Sequence, residues 1–289
     1  MTKRRSLRKT SRARNRRRDL PIEILRASSV FKAMQCAIKV MRKWSSDGSD
    51  PAYCWFRGVC DSKHKLLPGA YRSDSPDKAY DEFTHMVCLA QEGAAYGDVG
   101  TIDDWKTYYI AQHHHLPTRL LDWSDSFAVA LFFAIESKQP RSPCVWILNP
   151  AEINKVSVGD PRLISPENNS PTHAWLPRRI REPYNIIQRE GEFVYDNTFP
   201  LAIIPRKSDA RMVAQQAYFT VHGRSKQALE DFVVERVTTP KRAIARIDLN
   251  VDSSGRWLDD LGLLGTRRHT IYPDLDHYVQ YLREYYAPR

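Results

Sequence analysis

AQHHHLPTRLLDWSDSFAVALFFAIE, residues 111–136, is the stretch on which the fold turns. It leaves a helical pattern carrying Trp105, Tyr108 and Tyr109, and it breaks at Pro117. It then gathers Thr118, Arg119, Asp122, Trp123 and Ser124 into a polar corner before entering the apolar run from Phe127 to Ile135. A helix that ends, a polar corner and a buried helix are the parts from which a chain builds a site. Arg119 and Asp122 bracket two leucines, so the charged groups share a turn with an apolar anchor, and Trp123 sets a flat face beside them. Spacing alone leaves two readings open, because a buried Arg–Asp pair also serves simply to brace a loop. Neighbouring residues on a helix diverge by about 100°, so the run His113, His114 and His115 does not make a metal site by itself. Histidines at a helix end complement the terminal carbonyls, and His114 is the one assigned to a ligand.

Working outward, residues 53–57 alternate as a strand with Tyr53, Trp55 and Arg57 on one face and Cys54 and Phe56 on the other. Gly58 then permits close approach of backbone or ligand. Arg57 so held grips a pyrophosphate, or else merely stacks on Trp55. Downstream, residues 143–149 read as a strand that runs into a helix start at Pro150. Residues 160–189 are rich in Pro, Asn, Ser and Arg, with a local basic cluster at Arg178, Arg179 and Arg181. That segment is either a substrate loop or a solvated surface loop.

Strands are expected over 199–204, 213–221, 232–237 and 243–249, and helices around 258–264 and 275–285. In the second of these strands Gln215 and Gln216 alternate, so a shift of one residue decides which glutamine faces a site. Ahead of it all, Ser29 caps a helical pattern of Val30, Met34, Ala37, Ile38 and Met41. Helices and strands mix without βαβ regularity. The expectation is therefore an α+β fold: one mixed domain over 51–289, a helical flank over 19–50, and a disordered arm over 1–18.

The arm, MTKRRSLRKTSRARNRRR, holds ten Lys or Arg and no acid, ending in Arg16, Arg17 and Arg18. The chain has 44 basic and 34 acidic residues, so without these ten it is formally neutral and the whole +10 charge resides in the arm. A block of that kind suits a polyanion, with salt-dependent binding as counterions are released; a membrane-surface anchor and a docking arm for an acidic partner are the alternatives. No apolar core follows the basic run as a secretion signal requires. The apolar run after Ser126 is far below the roughly 20 residues of a membrane span. Five cysteines, odd in number and without CxxC spacing, fit reduced thiols in a cytoplasm. The absence of GxGxxG, Walker, HExxH and GxSxG patterns removes support for Rossmann enzymes, NTPases, zincins and α/β-hydrolases.

Phe56-Arg57-Gly58 and QHHHLPTRLLDWSDSFAVALFFA, residues 112–134, resemble the FRG domain family, with His115 where the family usually has Gly and Ser124 where it has Thr. RMVAQQAYFT at 211–220 and TIYPDLD at 270–276 are similar to its later blocks. The family in turn resembles ADP-ribosyltransferases and occurs in bacterial toxin and antiphage systems. That resemblance implies an ADP-ribosyltransferase-like fold with NAD as co-substrate, no metal, and RNA or DNA as the acceptor of ADP-ribose. It also implies an antitoxin or inhibitory protein as partner. Arg57, Asp122, Ser124 and Gln216 are the implied catalytic residues. Arg57, Gly58, His114, Thr118, Arg119, Trp123 and Phe219 are implied to hold NAD, and the two arginine clusters to hold nucleic acid. Gln216 stands where many transferases have Glu, and an amide does not carry the charge that stabilises an oxocarbenium ion, so Asp122, Asp274 or Asp276 is expected to supply it. The competing reading is a non-catalytic module for nucleic acid or nucleotides within a defence complex, in which Arg57 and Arg119 read phosphates.

Overall fold

The helix that carries the first of the three histidines ends at His113, four residues before Pro117, and the polar corner after it proves to be a strand. Its residues alternate inside a sheet that is covered on both faces. The computed structural model describes residues 21–45, 53–72, 82–97, 99–102, 104–137, 141–168, 170–181, 185–187, 194–251 and 256–287. The basic arm lies outside these residues. In chain order the elements are β1 (Glu23–Ala27), α1 (Val30–Trp44), β2 (Trp55–Val59), α2 (Glu82–Glu92), α3 (Trp105–His113), β3 (Leu120–Ser124) and α4 (Phe127–Ile135). There follow β4 (Cys144–Leu148), α5 (Pro150–Val158), β5 (Asn185–Ile187), β6 (Val194–Asp196), β7 (Leu201–Ile203), α6 (Ala210–Ala214) and β8 (Ala217–Val221). The chain closes with α7 (Leu229–Arg236), α8 (Pro240–Ala243), β9 (Ile244–Leu249), α9 (Arg256–Leu263), α10 (Arg268–Ile271) and α11 (Leu275–Tyr285).

One seven-stranded sheet, in the order β1-β9-β4-β2-β3-β8-β7, organises the molecule, and β5 pairs with β6 apart from it. β1 runs parallel to β9, and the other neighbours are antiparallel. This mixed architecture is α+β, as expected. Every residue of β4, CVWIL, is buried, and an unbroken apolar run is what a strand covered on both faces requires.

On one face of the sheet, Trp55, Leu121, Trp123 and Trp146 pack with residues of α5 and α7. The other face carries two separate cores. Phe56, Val145, Ile147, Ala245 and Ile247 lie under α1, α4 and α9, whereas Leu120, Leu201, Phe219 and Val221 lie under α3. The two cores part above the boundary between β2 and β3. Gly58 permits the first of them to close up: a Cβ there would stand 1.9 Å from the Ala130 carbonyl oxygen and 2.6 Å from the Ala134 nitrogen. The space that glycine frees is taken by the backbone of α4.

Three expectations differ. Residues 23–44 are no detachable flank, because β1 pairs in register with β9 and α1 buries Val30, Ala33, Ala37, Val40 and Trp44 in the core. The strand expected over 232–237 is helix α7, whose buried Leu229, Glu230, Phe232 and Val233 follow a helical period. The strand expected over 213–221 divides into the end of α6 and β8. Among the described residues no helix is long and apolar enough to cross a membrane.

Candidate functional site

β2 pairs along its whole length with β4, and β3 along its whole length with β8, yet β2 and β3 share a single registered pair, Phe56 with Ser124. Beyond that pair the strands separate and Arg57 fills the gap. Its Nη1 donates to the main-chain oxygen of Asp122 at 2.7 Å and approaches the Asp122 carboxylate at 3.4 Å. A guanidinium thus takes a carbonyl that a continuous ladder would pair with an N–H. Burial lowers the Arg57 pKa, and Asp122 opposes that shift.

The Asp122 side chain is 53% exposed and reaches the mouth of the gap. Gln112, in the last turn of α3, donates its amide to both carboxylate oxygens, at 2.9 and 3.0 Å. The Gln112 oxygen accepts the Thr118 hydroxyl at 2.5 Å, and the Thr118 oxygen accepts the Leu120 N–H at 3.1 Å. A chain of hydrogen bonds anchored in β3 therefore fixes the carboxylate. Thr118, expected to touch a ligand, instead orients Gln112.

Over the seam lies a cavity of about 170 Å³. Arg57, Asp122, Trp123 and Ser124 form its base, and Ala130 and Phe133 of α4 form one wall. Tyr109 and Phe219 form the other, stacked with centroids 5.4 Å apart and planes 12° apart. A cavity of roughly 150 Å³ accepts a benzene ring, so this one has the size of a single aromatic heterocycle. The Ser124 hydroxyl donates to the Gln215 carbonyl at 2.7 Å and accepts from Ser126 N at 3.0 Å, and Trp123 Nε1 donates to Thr220 Oγ1 at 3.1 Å. These bonds hold both residues in place at the base.

Other expected residues stand elsewhere. Arg119 is 2% exposed and does not line the cavity. Its guanidinium donates to Glu82 at 2.6 Å, to the His222 carbonyl at 2.8 Å and to the Trp175 carbonyl at 2.5 Å. Burial is the largest single influence and opposes its charge, but Glu82, Tyr108 and Tyr71 together outweigh it and raise its pKa. With every face engaged it is a brace of the second core, not a phosphate reader. His114 caps α3 and is exposed, whereas His113 and His115 line the cavity. His115 adopts the left-handed backbone, φ 64°, that the family's usual glycine adopts without strain. Gln216 is exposed with φ 48°, and Gln215 lines the cavity in its place. The helical turn of α6 followed by a left-handed residue breaks the alternation on which the sequence reading relied.

Residues absent from the expected set complete the rim. Arg211 lines the cavity and lies over the Tyr272 ring at 5.0 Å. Tyr272 meets Phe133 edge-on at 6.2 Å and hydrogen-bonds Glu136 at 3.2 Å. Arg268 approaches Glu136 at 3.5 Å. Burial raises the Glu136 pKa against the pull of Arg268. Gln215 Nε2 donates to the Ile271 carbonyl at 3.4 Å. Segments 56–58, 112–134 and 211–220 thereby converge on one cavity, and 270–276 backs it through Ile271 and Tyr272. Arg211 was legible as the first residue of its block, and Tyr109, Gln112 and His113 share one helical face by their spacing.

Asp274 is the N-cap of α11, accepting from His277 N at 2.9 Å, and Asp276 lies in the first turn; neither lines the cavity. Arg178, Arg179 and Arg181 are exposed and outside the cavity, with Arg181 over the Phe83 ring at 5.1 Å. Arg16, Arg17 and Arg18 lie outside the described residues. Among the described residues no group of three or more His, Cys, Asp or Glu is placed to hold a metal ion.

Residues 52–142 match the FRG domain family, a span that includes Arg57, Gln112, Asp122 and α4. No curated protein and no solved structure matches the chain.

Proposed function

We propose that the cavity receives the nicotinamide end of NAD and that the chain transfers ADP-ribose to nucleic acid, RNA in preference to DNA, as a defence toxin. One observation carries the reading: a half-buried cation, Arg57, and an exposed, oriented carboxylate, Asp122, meet at the base of a ring-sized cavity with aromatic walls. Arg57 is assigned to the pyrophosphate and Arg211, at the rim, to the same charge. Tyr109 and Phe219 form the aromatic wall against which the nicotinamide ring packs.

The bond that breaks joins nicotinamide nitrogen to the ribose anomeric carbon, and nicotinamide leaves with the bonding pair. A hydroxyl or ring nitrogen of the acceptor attacks that carbon and gives up its proton to Asp122 or solvent. While the oxocarbenium character develops, the Asp122 carboxylate stabilises it, and Gln112 keeps that carboxylate aimed. The ribose-orienting role expected of Gln216 passes to Gln215. Unrestrained turnover would damage the producing cell, so an inhibitory protein partner belongs to this reading.

A specific observation favours a second reading, a non-catalytic nucleotide or nucleic-acid module: Asp122 is paired with Arg57, and Asp274 is spent as a helix cap. The full chain and its Arg57→Ala variant, incubated with labelled NAD and with RNA, DNA or protein, separate the two. Label entering one acceptor with the parent alone supports the transferase and selects its substrate. Absence of both turnover and NAD binding in the parent overturns it in favour of the binding module.

A further inference from the structure

A second concavity, of about 640 Å³, lies at the end of the sheet where β1 and β9 finish and β4 begins. Arg26, Lys32 and Arg141 converge on it from β1, α1 and the segment entering β4. All three are exposed, and among the described residues no ion pair engages them. The carboxylate of Asp248 also lines it, but Arg246 already neutralises that group at 2.7 and 3.2 Å. Three unopposed cations therefore share one groove in a chain whose residues after the arm are formally neutral.

The local field suits an anion. Lys32 stands in the first turn of α1, which contains no acid, so a cation faces the positive end of the helix dipole. The hydroxyl of Ser142 adds a neutral donor of the kind that contacts phosphate oxygens. We propose that this groove holds the phosphodiester backbone of a nucleic-acid strand, at a site separate from the cavity. Breadth favours a strand over a single phosphate, since the concavity of about 640 Å³ far exceeds the volume of one phosphate group. β9 is separated from the β2–β3 seam by β4 and β2, a distance on the order of 12 Å by strand spacing. A strand of a few nucleotides spans it. The inference does not rest on the chemistry assigned to the cavity.

The test is anisotropy of labelled single-stranded RNA and DNA of about 12 nucleotides, titrated at several salt concentrations with the full chain. The groove variant is Arg26→Gln/Lys32→Gln/Arg141→Gln. Its control, Lys39→Gln/Lys241→Gln/Arg283→Gln, removes the same charge from exposed positions elsewhere and, like the groove variant, retains the arm. Expected is an affinity loss of about 10-fold or more and a fall of about 2 in the log K against log salt slope for the groove variant, with the control within about 2-fold of the parent. Equal losses in both variants, or none in a groove variant that melts like the parent, overturn the proposal. Displacement of the strand from the parent by inorganic phosphate or a nucleoside monophosphate at comparable concentration also overturns it, in favour of a small phosphate site.

Discussion

The Nη1 of Arg57 lies 2.7 Å from the main-chain oxygen of Asp122 and 3.4 Å from its carboxylate, so the guanidinium is first a partner of the strand and second a partner of the charge. Substitution at position 122 leaves the shorter contact in place. Structure and chemistry at the seam are therefore separable by experiment.

Asp122→Asn retains the backbone acceptor and an oxygen for the Gln112 amide. Because the side chain is half exposed, the expected change in unfolding free energy is below about 1 kcal/mol. Label transfer from NAD is expected to fall about 100-fold. Urea unfolding and the transfer assay check the two halves; transfer at the parental rate removes the electrostatic role of Asp122.

Glu82→Gln strands a cation in the second core. Arg119 and Glu82 meet at 2.6 Å with side chains 3% and 11% exposed. Loss of the carboxylate from such a pair costs about 3–5 kcal/mol. The Glu82→Gln/Arg119→Met double variant is expected to recover part of that loss in denaturant unfolding. Additive losses would mean that the two residues act independently.

His115 inverts the usual order of substitution. At φ 64° a Cβ is strained, so Gly at this position is expected to be more stable than Ala by about 1 kcal/mol, the reverse of an ordinary helical site. Comparison of His115→Gly with His115→Ala by urea midpoint decides it. Equal midpoints would mean that the turn relaxes without cost.

His222 couples stability to acidity. It is buried, its Nε2 has no partner among the described residues, and burial, with Arg119 and then Arg57 adding to it, pushes its pKa down to about 3. The folded protein keeps the imidazole neutral, whereas the unfolded chain takes up a proton below an ordinary pKa near 6.5. This contribution is therefore fully present above about pH 6.5 and is lost as pH falls toward 3. Stability of the parent between pH 6.5 and 4 is expected to decline more steeply than that of His222→Gln, measured by urea unfolding at each pH.

What could be read beforehand follows from the range of the interactions. Strands β2, β4 and β9, the cap Ser29 and the boundaries of α11 were legible because alternation, capping chemistry and helical periodicity act within a few residues. Asp122 stood out through its neighbours in the motif. Arg119 was misassigned because its partners, Glu82, Trp175 and His222, are distant in sequence and no local pattern announces them. The choice between Gln215 and Gln216 turned on one left-handed residue, and the sheet role of residues 23–27 depended on pairing with a strand more than two hundred residues later. The groove at Arg26, Lys32 and Arg141 was invisible for the same reason: its charges are scattered along the chain and meet only in the fold.

The single registered pair between β2 and β3 divides the sheet into half-sheets, β1-β9-β4-β2 and β3-β8-β7, and the chain passes between them four times, from β2 to β3, β3 to β4, β4 to β7 and β8 to β9. The halves are laced rather than hinged on one linker. Cleavage in any one crossing leaves three covalent ties across the cavity. A nicked chain is thus expected to keep both walls of its site in place, and no single cut in a crossing sorts the two half-sheets into separate fragments.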